Sequence, residues 1–257
     1  MKFDELDNKM RVYETANDAF VLPNIYMVAR IDGRNFTRLT KETHNFEAPF
    51  DIIFRDYMVE CVKHAMNTGF NIVYGYTQSD EISLLFHINE TSFSRKHRKY
   101  NSILAAEISA KFSLLLGSVA AFDCRICELP NRSLVTDYFR WRNEDAHRNS
   151  LSAHCYWLLR KNDFSATAAA RKIEGLSTAH KNELLLSYNV NFNELPSWQK
   201  RGIGFYWKEV EKEGFNPKLE QTVMVKRREL QVEYELPMKD HYNEFIMNII
   251  AQSEDQG

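Results

Sequence analysis

The chain has 257 residues, 44% of them hydrophobic, which is enough to bury a full core in one large domain or a domain with an extension. Its 33 basic and 35 acidic side chains nearly cancel, so overall charge gives no support to a nucleic-acid partner, and any such partner must be met by local basic clusters. No N-terminal stretch reads as a signal peptide and no run reaches the roughly 18 to 20 apolar residues of a membrane span, so a cytoplasmic protein with no membrane partner is expected.

Tyr26 to Ile31 is short and apolar and is followed by Asp32-Gly33, which predicts a buried strand ending at a turn. Phe50, Phe54, Tyr57, Met58, Cys61, Val62 and Ala65 recur at spacings of three and four, the stripe of an amphipathic helix that ends at Asn67-Thr68-Gly69. Ile72 to Tyr76 and Ile82 to Ile88 are β-rich runs around the polar Thr77-Gln78-Ser79-Asp80-Glu81, which predicts a hairpin. A second long helix is marked by Ile103, Leu104, Ile108, Phe112 and Leu115 and stops near Gly117, and Val119 to Cys127 supplies another strand. Cys124 and Cys127 have C-x-x-C spacing, but Cys61 and Cys155 provide no second ligand pair, so structural thiols are expected rather than a zinc site.

The order is that of the ferredoxin-like βαββαβ unit, an α+β fold with an antiparallel sheet in which the first and third strands are neighbours. We expect it to fill residues 1–130. Residues 131–257 read as a mainly helical extension packed on that core: two successive helices from Leu134 to Leu158, further helix over Phe164–Ile173 and Thr178–Ser187, and short strands at Ile203–Trp207, Val223–Val225 and Leu230–Tyr234.

Asp32 closes the first strand and Asp80 opens the third, so adjacent antiparallel strands about 4.8 Å apart bring both carboxylates to one sheet edge. Such a pair suits divalent metal facing phosphate, and magnesium, which keeps several waters, needs little more than two carboxylates and a backbone carbonyl. Gly33, without a β-carbon, is expected to let its carbonyl or a phosphate come close, and Glu81 to support the site or add a ligand. Taken singly, Asp-Gly and Ser-Asp-Glu are also ordinary turns; the metal reading comes from their convergence. The run Ser94-Arg95-Lys96-His97-Arg98-Lys99 reads either as a solvated helix face or as point charges for a triphosphate or a nucleic-acid backbone. His147 and Asn149 suit phosphate or a base edge, or an ordinary structural role. Trp198-Gln199-Lys200-Arg201, Tyr206, Trp207 and Lys226-Arg227-Arg228 mix basic and aromatic character, as nucleic-acid surfaces and packed cores both do.

Arg30-Ile31-Asp32-Gly33-Arg34-Asn35-Phe36, His44-Asn45-Phe46, Ser79-Asp80-Glu81, Trp141-Arg142 and Lys181-Asn182-Glu183-Leu184-Leu185 together resemble the tRNA-histidine guanylyltransferase superfamily of 3′-to-5′ polymerases, over roughly residues 1 to 205. The resemblance implies a polymerase-like palm that adds nucleotides to the 5′ end of tRNA. It implies two Mg2+ ions held by Asp32, Asp80 and the carbonyl of Gly33, with ATP and GTP or other nucleoside triphosphates as substrates. Arg30, Gly33, Arg34, Asn35, Phe36, Ser79, Arg95, Lys96 and Lys99 are then expected to bind nucleotide, and His147, Asn149, Lys181 and Asn191 to serve activation of the 5′ end or tRNA handling. A homotetramer is implied as well.

Two departures point to the guanylyltransferase-like branch, associated with template-dependent repair of 5′-truncated tRNA. His147-Arg148-Asn149-Ser150-Leu151-Ser152-Ala153 replaces the His-Ile-Asn-Asn-Leu-Tyr-Asn of eukaryotic guanylyltransferases, and Ala48 stands before Pro49 where they carry lysine. A nucleotide cyclase-like palm enzyme and a noncatalytic tRNA-binding module are the alternatives.

Overall fold

The computed structural model describes residues 1–216 and 221–255. An N-terminal helix α1 (Phe3–Thr15), which buries none of its residues, precedes β1 (Tyr26–Gly33), the short helix α2 (Phe36–Arg38), α3 (Ile52–Ala65), β2 (Ile72–Gln78), β3 (Glu81–Phe86), α4 (His97–Leu116) and β4 (Phe122–Leu129). The rest is α5 (Arg132–Lys161), α6 (Ala166–Ile173), α7 (Thr178–Leu186), α8 (Ser197–Arg201), β5 (Ile203–Asn216), β6 (Gln221–Glu233) and α9 (Lys239–Glu254).

The sheet has the order β4-β1-β3-β2-β5-β6 with every pairing antiparallel, so β1 and β3 are neighbours as the βαββαβ order predicts. Both faces are covered, which is why the strands read as continuous apolar runs. Met27, Ala29 and Ile31 of β1 with Ile82 and Leu84 of β3 pack under α3 and α4, while Val28 and Leu85 face α5 and α9. Asp51 starts α3 by accepting the backbone N–H groups of Ile53 and Phe54, and Gly117, at φ +74°, ends α4 in the left-handed conformation.

Two expectations for the C-terminal half are corrected. Residues 132–161 form one 30-residue helix rather than two. The polar middle that reads as a break is held by tertiary contacts: Arg142, Asn143 and Ser150 are all buried. The strands are also long rather than short. β5 joins the sheet beside β2 through Thr77↔Ile203 to Tyr74↔Tyr206 and then runs on with β6 as a two-stranded arm. Its charged residues, such as Lys208-Glu209 and Glu211-Lys212-Glu213, follow one another on both sides of the ribbon, so no apolar period announces it.

The thiols are free. Three residues apart on β4, Cys124 and Cys127 fall on opposite faces of the sheet and pack into different clusters, so the C-x-x-C spacing cannot converge on one ion.

Candidate active site

β1 and β3 bring the acidic ends together. Asp32 lies opposite Glu81 in the register, and the backbone N–H of Gly33 donates to the carbonyl oxygen of Asp80 at 3.1 Å. Asp80 occupies the turn between β2 and β3 after Ser79, whose φ is +53° and whose hydroxyl donates to Asp80 Oδ1 at 3.0 Å. Burial pushes the Asp80 carboxyl above its ordinary value, and the negative charge of Asp32 adds to the rise.

Glu81 has a different fate from its neighbour. It is 8% exposed, and its carboxylate is gripped by two guanidinium groups. Arg30 Nη2 donates to Oε2 at 2.5 Å, Arg142 Nη2 donates to the same oxygen at 2.9 Å, and Arg142 Nε lies 2.6 Å from Oε1. Desolvation raises the Glu81 carboxyl while the two arginines oppose the rise. A carboxylate so occupied is a poor additional metal ligand, and Arg30, spent on this pair, lies outside the cavity described below.

Among the described residues, Asp32 and Asp80 form no ion pair with any basic side chain, unlike Glu81. Two adjacent carboxylates without a counterion, one of them largely desolvated, fit a hard divalent cation. No group of three or more His, Cys, Asp or Glu side chains is placed for a metal among the described residues, so further ligands must be backbone carbonyl, water or substrate oxygen. That donor set suits magnesium better than zinc.

The pair opens on a cavity of about 390 Å³ between α2–α3 on one side and α5 on the other. Of the expected nucleotide-binding residues, Phe36 and Ser79 line it with Asp32 and Asp80, and Asn149 lines the α5 wall. Gly33, Arg34 and Asn35 do not. Arg34 and Asn35 are exposed, and the space left by the missing β-carbon of Gly33 is filled by the Phe36 ring, whose Cδ2 would stand 2.5 Å from an added Cβ. Glycine there makes room for the Phe36 ring, and its carbonyl is untouched by that packing.

The basic run lies elsewhere. Arg95 is buried and donates to the carbonyls of Ile25, Ile88 and Glu90, tying the start of β1 to the loop after β3. Ile25 is seven residues from Asp32, about 23 Å along an extended strand. Lys96 pairs with Asp18 at 2.9 Å, and Lys99 lies over the Phe93 ring at 5.6 Å. Within one chain, none of the three reaches the carboxylate edge.

The activation candidates also scatter. His147 packs edge-on against Phe192, and burial with Arg201 nearby lowers its pKa. Lys181 donates to Ser152 Oγ at 2.9 Å, and Asn191 caps a short turn through Asn193 N. Lys200 is buried and donates to the Asn193 carbonyl at 2.8 Å, while Trp207 donates to the Ile72 carbonyl at 3.0 Å, so these two basic and aromatic residues belong to the core.

Sequence reasoning missed Arg142, Lys41, Arg55 and Trp157 as cavity residues. Arg142 had a signal, its place in the Trp141-Arg142 pair that carries part of the family resemblance. The others carried none, because they meet the site only after α2, α3 and α5 converge.

Residues 7–130 match the family model described as tRNAHis guanylyltransferase, and residues 133–250 match that of the Thg1 C terminal domain. The probable tRNA(His) guanylyltransferase of Mus musculus is 31% identical over 201 residues, 74% of this chain and 67% of that protein. The tRNA(His) guanylyltransferase of Schizosaccharomyces pombe is 32% identical over 192 residues, 71% of this chain and 73% of that protein. A solved bacterial tRNA(HIS) guanylyltransferase (Thg1)-like protein in complex with ATP superposes with a TM-score of 0.74 at 26% identity, covering 95% of this chain and 99% of that one. A structure of the same description in complex with GTP gives 0.72 at 26% identity, with 96% and 99% covered. By sequence over both halves, with a fold that agrees, the chain belongs to the tRNAHis guanylyltransferase family.

Proposed function

We propose that the protein is a magnesium-dependent 3′-5′ nucleotidyltransferase that adds nucleotides to the 5′ end of tRNA, using ATP to activate a 5′-monophosphate end and restoring truncated ends against the opposite strand. The observation that carries this reading is the Asp32–Asp80 pair, without a basic partner among the described residues and open to a nucleotide-sized cavity. The solved relatives in complex with ATP and GTP support the substrate class.

In the activation step an oxygen of the tRNA 5′ phosphate attacks the α-phosphorus of ATP and pyrophosphate leaves. The 3′-hydroxyl of the incoming nucleotide then attacks the activated 5′ phosphorus and AMP leaves. Two magnesium ions, held by Asp32, Asp80 and the Gly33 carbonyl, would supply charge neutralisation and activation of the attacking hydroxyl. This chain's own residues do the positioning. Arg30 and Arg142 keep Glu81 neutralised beside the two aspartates. Phe36, Phe46, Phe50 and Phe54 give the cavity an apolar wall that shields a base from water. Base choice falls to Watson–Crick pairing with the opposite strand, so the protein holds shape, end and metal rather than reading sequence.

In this reading residues 1–130 are the palm-like core and 131–257 an extension packed on it, in a cytoplasmic homotetramer. The reading of the basic run, with Arg95 structural and Lys96 and Lys99 remote from the edge, then requires any contact of those lysines with substrate to come from RNA outside the cavity or from a neighbouring subunit.

Purified protein with magnesium, ATP and all four nucleoside triphosphates should extend a 5′-shortened tRNA, and Asp32→Ala should abolish extension. No extension by the wild type, or equal extension by Asp32→Ala, rejects the proposal. Cyclic nucleotide formed without RNA would favour the cyclase alternative instead.

A further inference from the structure

Three cationic side chains line the catalytic cavity among the described residues: Lys41, Arg55 and Arg142. Two are committed. Arg142 is held by Glu81 and lies 3.4 Å from Asp145, and Arg55 pairs with Asp56 at 2.7 Å while lying over Trp198 at 4.8 Å and Tyr234 at 5.6 Å. Lys41 differs. It has no carboxylate within ion-pair reach among the described residues, and its Nζ rests 4.9 Å from the centre of the Trp157 ring. Lys41 follows α2 and Trp157 sits on α5, so the contact bridges the two walls of the cavity at its rim.

The other charges of the cavity give a free cation there a use. Asp32, Asp80, Glu47, Asp51 and Asp145 all line the same space, and the wall at Ala48-Pro49 brings no charge. A nucleoside triphosphate entering it would meet carboxylates on several sides. Ions at Asp32 and Asp80 can balance only the phosphates that reach that edge. A cation–π contact at an exposed rim is weaker than a charge-assisted hydrogen bond to phosphate, so Lys41 can leave Trp157 for a phosphate oxygen at a net gain.

We infer that Lys41 is the side chain of this cavity that holds the outer phosphates of a bound nucleoside triphosphate, and that Trp157 holds its ammonium group at the rim until phosphate takes it. The inference rests on the nucleotidyltransferase reading of the cavity and adds to it the residue that recognises the triphosphate. The bland rival is a purely structural pin between α2 and α5.

Binding of ATP, ADP and AMP to full-length protein in magnesium, without RNA, separates the two. Lys41→Met should weaken ATP about tenfold or more, ADP less and AMP about twofold at most, because the lost contact is with the outer phosphates. Lys41→Arg should retain ATP binding, and a charge returned from the same wall by Ala48→Lys should restore it in the Lys41→Met background. An equal loss for all three nucleotides, an unchanged ATP affinity, or failure of both basic variants to support ATP binding overturns the assignment. A wild type that binds none of the three rejects the nucleotidyltransferase reading itself, whereas ATP binding unaffected by Lys41→Met rejects the lysine alone. Lys41 is exposed, so thermal midpoints close to wild type are expected for its single variants and confirm that binding rather than folding is read.

Discussion

Gly33 donates its backbone N–H to the carbonyl oxygen of Asp80 at 3.1 Å, one residue beyond the last paired rung of β1 and β3. That bond fixes the β2–β3 turn against the end of β1. The distance between the two aspartates is therefore set by strand pairing rather than by side-chain choice.

Gly33 should accordingly be intolerant of even one methyl group. An added Cβ meets the Phe36 ring at 2.5 Å, and that ring is wedged against Phe112 at 5.2 Å and Phe122 at 4.7 Å, so it has little room to yield. Gly33→Ala should cost about 1–3 kcal/mol in urea unfolding. A variant as stable as the wild type would show that the ring moves freely.

Arg142 and Glu81 should be strongly coupled. Arg142→Met leaves a buried carboxylate with Arg30 as its remaining guanidinium partner and should cost about 3 kcal/mol. Glu81→Gln combined with Arg142→Met should cost less than the sum of the single changes by about 1 kcal/mol or more. Additive losses in this cycle would show that the ion pair contributes little beyond its separate parts.

Magnesium should stabilise the folded protein through Asp80. A ligand that binds only the folded state raises stability as its concentration exceeds its dissociation constant, by about 2.7 kcal/mol at a hundredfold excess. The thermal midpoint of the wild type should therefore climb with magnesium, and that of Asp80→Asn should stay flat. Parallel climbs in both proteins would place the stabilising ion elsewhere.

His154 provides a pH test away from the carboxylate edge. Burial pushes its pKa down to about 4, between Phe50 and Phe192. An unfolded chain takes up a proton near the ordinary value of about 6.5 that the folded chain refuses. Stability is thus fully present above that value and falls as pH is lowered from about 6.5 to 4. His154→Asn should flatten this part of the urea-midpoint profile, and an unaltered slope would exclude the imidazole as its source.

The carboxylate edge was legible because short apolar runs gave the strand order, and that order put Asp32 beside Asp80. What stayed illegible depended on contacts that no local pattern encodes. Arg95 reads like its neighbours in a basic run, yet it follows Phe93 and Ser94 in left-handed conformations that turn it inward to cap three carbonyls. α5 reads as two helices because Arg142, Asn143 and Ser150 are polar, and only their buried partners, such as Glu81 and the Arg201 carbonyl that accepts from Asn143, show why they are inside. Lys41 and Trp157 are more than a hundred residues apart, and neither residue's own stretch of sequence names the other.

α5 carries Arg142 at the carboxylate edge and, further along, Leu151 and Cys155 in a separate small core with Leu185 of α7. From Arg142 to its last residue, Lys161, the helix advances about 28 Å with no interruption. A rod without a joint cannot absorb motion partway. A force at the α6–α7 end must either tilt the whole shaft about its arginine foot, shifting Glu81 and the cavity wall together, or be resisted along its entire length.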